Sequence, residues 1–152
     1  MINESVGRMG AITRLISVGI LSTFVVTGCA STSISPRGCE SNFSTQGSFL
    51  SGKRFSTSEV INGISEKDAY ASLYKILAGD GYYIQSSSER LGVISAFQNV
   101  NLSDKKAPLN ALVKGAGQDV EVSLTFVASG GVYTPEVGAR NEFCQIISRV
   151  KN

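Results

Sequence analysis

From Asp119 onward the chain alternates. Val120, Val122, Leu124 and Phe126 share one parity, and Glu121, Ser123 and Thr125 the other. A period of two places the apolar side chains on one face of an extended strand, with the polar ones in water. Elsewhere the period lengthens. Ala69, Leu73, Ile76 and Leu77, flanked by Tyr70, form a stripe at helical spacing over residues 66–78. Ser65 suits the N-cap, Asp68 stands at N3 near the positive end of the dipole, and Ile64 is placed to staple onto Ala69. Gly79 and Gly81 supply the stop. Phe143, Ile146, Ile147 and Val150 fall at i, i+3, i+4 and i+7 and predict a second helix, with Arg149 and Lys151 near its negative end.

Between the helices, Tyr82–Gln85 and Leu91–Phe97 are extended runs separated by a polar turn, the pattern of an antiparallel hairpin. Residues 100–108, containing Lys105 and Lys106, read as a loop, and 109–115 as a weaker strand broken at Gly115 and Gly117. Alternation over 49–57 predicts an edge strand. The expectation is a single α+β domain over 48–152: an antiparallel sheet of three to five strands with two helices packed on one face.

The chain upstream has a different character. Leu15–Val26 is an apolar run of 12 residues following Arg8 and Arg14. It is too short for a bilayer span, which needs about 20 residues, and suits the apolar region of a signal peptide. The alternative is an N-terminal core helix or strand. Val26-Thr27-Gly28-Cys29 at its end resembles the lipobox of bacterial lipoproteins. That resemblance implies a signal peptide over 1–28, cleavage between Gly28 and Cys29, and acyl chains on Cys29 that anchor the protein to a membrane. Ala30 and Ser31, where inner-membrane lipoproteins tend to carry Asp, imply the outer membrane and a periplasm-facing module. Residues 29–47, rich in Ser and Thr, read as the lipidated Cys and a flexible tether.

Composition narrows the chemistry. Lys and Arg number 14 against 12 Asp and Glu among 152 residues, a net charge of +2. Losing residues 1–28 leaves 124 residues, enough for one modest core, and a charge of +1, so no strong field steers the protein toward nucleic acid. The sequence holds neither His nor Trp, which excludes Ser-His-Asp triads, Cys-His pairs and imidazole metal sites from it. With Cys29 acylated, Cys39 and Cys144 remain, and in an oxidising compartment they are expected to pair. The alternative leaves Cys144 a small buried hydrophobe and Cys39 in the tether. Two cysteines fall short of a zinc site.

Other candidates have plainer readings. Gly115-Ala116-Gly117 and Gly130-Gly131 lack the Lys-Ser/Thr of a phosphate loop and read as turns. Glu66 with Asp68 falls in a helix's opening turn, and Asp119 with Glu121 on the wet face of a strand. Tyr70, Tyr74, Tyr82 and Tyr83 gather near the helix–strand junction and read as packing. No cofactor, metal or catalytic residue is expected.

Ala78-Gly79-Asp80-Gly81-Tyr82-Tyr83-Ile84, followed by Gly92-Val93-Ile94-Ser95-Ala96, resembles a motif of small periplasmic lipoproteins. Their domains are similar to those of the C lipoprotein subunit of the outer-membrane β-barrel assembly machine. The resemblance spans about residues 49–150 and implies a non-enzymatic accessory module that engages another envelope protein. The alternative is a carrier holding a lipid or peptidoglycan fragment between helices and sheet.

Overall fold

In a computed structural model of the chain, residues 38–99 and 106–150 are described. They belong to one compact unit spanning Ile34–Asn152. The elements are α1 (Gly38–Ser41), β1 (Ser44–Ser48), β2 (Gly52–Ile61), α2 (Glu66–Gly79), β3 (Tyr83–Ser88), β4 (Val93–Asn99), β5 (Lys106–Ala116), β6 (Asp119–Ala128) and α3 (Glu136–Val150). A single 3-10 turn over Glu89–Leu91 joins β3 to β4. The class is α+β, with one sheet in the order β1-β2-β6-β5-β4-β3, antiparallel at every junction.

The sheet therefore has six strands where the pattern predicts three to five. The additional strand is β1, which but for Ser48 lies inside the expected tether, while β5, expected from residue 109, begins at Lys106 inside the expected loop. Neither carries a strong apolar run. β1 reads Ser-Thr-Gln-Gly-Ser and is held by its ladder with β2, together with a 2.8 Å hydroxyl contact between Ser44 and Ser56. β5 does alternate, but half of its inward residues are the small Ala107 and Ala111 between Leu109 and Val113.

Both long helices cover one face of the sheet. Ser65 caps α2 as expected: its hydroxyl accepts from the Asp68 amide at 3.1 Å and donates to the Asp68 carboxylate at 2.6 Å. Ala69, Tyr70, Leu73 and Leu77 of α2, and Phe143, Ile146, Ile147 and Val150 of α3, are buried on the inward residues of β2, β4, β5 and β6. Burying a side chain of the Leu, Ile or Phe type stabilises by about 1.5–3 kcal/mol, so these stripes, more than helix propensity, hold the helices in place. Asp80 at the end of α2 and Arg149 on α3 form a two-pronged ion pair at the surface. Gly92 after the 3-10 turn has φ +66, and a Cβ there would lie 1.9 Å from the Val113 carbonyl oxygen. Only glycine lets these two backbones come so close.

The face away from the helices carries one row of small polar residues across all six strands: Ser44, Ser56, Thr125, Asn110, Ser95 and Ser86. Ser95 donates to the Asn110 side chain at 2.9 Å within it. Next to this row, Tyr83 stacks on Phe97 at 5.3 Å, with the Lys106 ammonium 4.3 Å from the centre of the Phe97 ring.

Candidate functional site

Cys39 and Cys144 are joined by a disulfide across 105 residues of sequence, with their Cα atoms 5.6 Å apart. The bridge fastens α1 to α3. Cys39 is fully buried, and the Thr57 hydroxyl on β2 donates to its carbonyl oxygen. Phe43 stacks on Phe55 and meets Phe143 edge-on, with ring centres 6.2 Å apart in each pair. The stretch read as tether is thus part of the folded module from Gly38 onward, because a cysteine whose partner sits in the core brings its neighbours with it. Gly28, Cys29 and Lys105 lie outside the described residues.

At one end of the sheet the helical layer leaves two adjoining clefts of about 290 and 170 Å³, which share Gln98, Phe126 and Thr134. Their origin is local. The inward positions at this end of the sheet are Gln98, Ala107 and Ala128, and two of these are too small to fill the layer. Pro108, third in β5, also withholds a ladder N–H there. Above them the β6–α3 connection, with Thr134 and Pro135, bridges to the first turns of α3.

The larger cleft has apolar walls in Phe126, Phe143, Pro135 and Ala139 and one polar device. The buried Tyr82 phenol donates to Glu142 Oε1 at 2.7 Å. Burial, followed by that hydrogen bond and the nearby carboxylate charge, pushes the Tyr82 hydroxyl far above its ordinary range, so it stays a neutral donor. Among the described residues, Glu142 Oε2 has no donor and the Gln98 side-chain amide has no partner.

The remaining candidates do not converge. Tyr70 and Tyr82 are buried, whereas Tyr74 and Tyr83 are exposed, and Tyr83 points to the opposite sheet face from its neighbour. Asp68 is occupied by the α2 cap, and Glu121 faces Lys114 across the β5–β6 ladder. Gly117 turns the β5–β6 hairpin, and Gly131 donates its N–H to the Phe49 carbonyl at 2.8 Å, tying the β6–α3 loop to the β1–β2 turn. No group of three or more Cys, Asp or Glu that could hold a metal ion, and no helix long and apolar enough to cross a membrane, occurs among the described residues. Sequence reading missed the Tyr82–Glu142 pair. The two lie 60 residues apart, and the packing of α3 beside α2, whose C-terminal end leads into Tyr82, brings them together.

No protein-family model and no curated protein matches the chain. Among solved structures it is similar to a conserved protein of unknown function from Enterococcus faecalis, at 11% identity and a TM-score of 0.47, covering 74% of this chain and 78% of that one. It is also similar to Ara h 8.0201, at 8% identity and a TM-score of 0.37, covering 64% of this chain and 94% of that one. At these values the likeness carries no functional reading.

Proposed function

We propose that this chain is a lipid-anchored envelope lipoprotein. Its α+β module faces the periplasm from the outer membrane and acts without catalysis, by docking to another envelope protein. The observation that carries the reading is the cysteine assignment. The Cys39–Cys144 bridge belongs in an oxidising compartment, and it leaves Cys29, the residue at the lipobox position, as the single remaining thiol. The motif resemblance around Gly81 and Gly92 points the same way.

The docking surface proposed is the loop end of the sheet. Leu50 and Tyr133 are 85% and 81% exposed and Phe49 is 50% exposed, on two loops that the Gly131–Phe49 hydrogen bond holds together. Apolar side chains grouped in this way mark interaction surfaces more often than solitary ones do. The outer sheet face sets its row of hydroxyls among Tyr83, Val93 and Leu112, which at 57, 37 and 39% are less exposed than Leu50 and Tyr133.

Mass spectrometry of the mature protein tests the anchor. The expected polypeptide begins at an acylated Cys29 and retains the bridge, whereas one beginning at Met1 overturns the reading. For docking, crosslinking in intact envelopes is expected to capture a partner that Leu50→Asp with Tyr133→Asp loses. Unchanged capture by that double variant removes the loop end as the surface.

The alternative, a carrier role, draws its support from the cleft. At about 290 Å³ the space falls at the lower limit of small-ligand pockets, which favours a fragment over a whole lipid.

A further inference from the structure

We propose that the larger cleft is a binding site for a small organic ammonium ion, with the cationic head on Glu142 and a short apolar stem between Phe126 and Phe143. Size comes first. About 290 Å³ accommodates roughly ten water-sized groups, which suits a short alkyl chain with one polar end. Charge comes next. Among the described residues, Glu142 is the only charged one lining this cleft, since Gln98, Thr134 and Tyr82 are neutral and the other walls are apolar. Arg149 shares the neighbouring surface groove with Glu142 but is committed to Asp80.

The hydrogen-bond inventory specifies the ligand further. Tyr82 fixes the Glu142 carboxylate through Oε1, which leaves Oε2 to accept from an N–H. The Gln98 carbonyl, half-buried and without a partner among the described residues, is a second acceptor on the opposite wall. The faces of Phe126, Phe143 and Tyr82 are negative in their quadrupole and add attraction for a cation near them. An anion meets repulsion from Glu142. A neutral alcohol of equal length fills the space but forgoes the charge-assisted bond.

The test is a titration of the intact, isotope-labelled protein in detergent, followed by amide NMR. The probes are n-butylammonium chloride, butan-1-ol and sodium butyrate. Butylammonium is expected to give saturable shifts at Gln98, Gly138, Ala139 and Phe143, with butanol binding about tenfold weaker and butyrate giving none. Glu142→Gln, a surface-facing change compatible with folding, is expected to weaken butylammonium about tenfold and leave butanol unchanged. Equal affinity for the alcohol and the ammonium, shifts confined to other surfaces, or no saturable shift with butylammonium would each overturn the assignment. The site goes beyond the anchored-module reading and does not depend on acylation of Cys29, so either can fail alone.

Discussion

Removing the bridge between Cys39 and Cys144 tests how the module is held together. In the chain-entropy description, a crosslink over a separation of 105 residues raises the free energy of the unfolded chain by about 4–5 kcal/mol, and measured effects commonly reach about 2–4 kcal/mol. A domain of this size is stable by about 5–15 kcal/mol, so the bridge supplies a large share. The perturbation is the double variant Cys39→Ala with Cys144→Ala, which avoids leaving a lone thiol in the core. Thr57 still donates to the carbonyl at position 39, and Phe43 still packs on Phe55, so α1 retains contacts and the loss falls mainly on the unfolded side of the equilibrium. Urea melts of the full chain are expected to show a loss of about 2–4 kcal/mol, with a steeper dependence on urea because the uncrosslinked unfolded chain exposes more surface. The midpoint of thermal unfolding should fall by about 10 °C. A loss below about 0.5 kcal/mol, or two alkylatable thiols in the native oxidised protein, would refute the reasoning.

Three further outcomes are expected. Thr45→Val should stabilise the fold by about 1 kcal/mol in the same urea melts, because the Thr45 hydroxyl is buried without a hydrogen-bond partner and a methyl of similar shape removes that penalty; destabilisation would show that the hydroxyl is bonded in solution. Gly92→Ala should cost more than about 3 kcal/mol, since it combines a left-handed backbone with a collision against the Val113 carbonyl, whereas Gly81→Ala, with φ +84 and open space around it, should cost only about 1 kcal/mol. Tyr82 is neutral in the folded protein and ionises near pH 10 once unfolded, so its contribution is complete below that pH and declines above it. Melts at rising alkaline pH should therefore fall more steeply in the wild type than in Tyr82→Phe, and parallel curves would contradict the burial of the phenol.

The sequence made the strongest elements legible. The alternation in β6 and the stripes on α2 and α3 are driven by burial on one face, and burial leaves a period that composition cannot hide. β1 escaped because an edge strand of Ser, Thr and Gly is held by backbone ladder bonds, which leave no apolar trace. β5 was cut short for a related reason: its Ala residues pack beneath helices without looking hydrophobic, and Pro108 reads as a stop although it sits inside the strand. α1 had one available signal. If Cys39 pairs with a cysteine beside the Phe143 stripe, then the residues around it must dock, and that step from pairing to folding was open to sequence reasoning. The Tyr82–Glu142 pair had none, because it exists only once α3 packs beside α2 and its middle meets the α2–β3 connection.

The pinned position of Cys39 also sets a length. An extended chain advances at most about 3.6 Å per residue, so a leash from Cys29 to Ser48 would pay out to about 68 Å, while one ending at Cys39 stops at about 36 Å. That is close to the diameter of the folded module itself. If Cys29 carries the anchor proposed for it, a module moored so short patrols a shell one body-width deep above the lipid, and any partner it meets must come to the membrane.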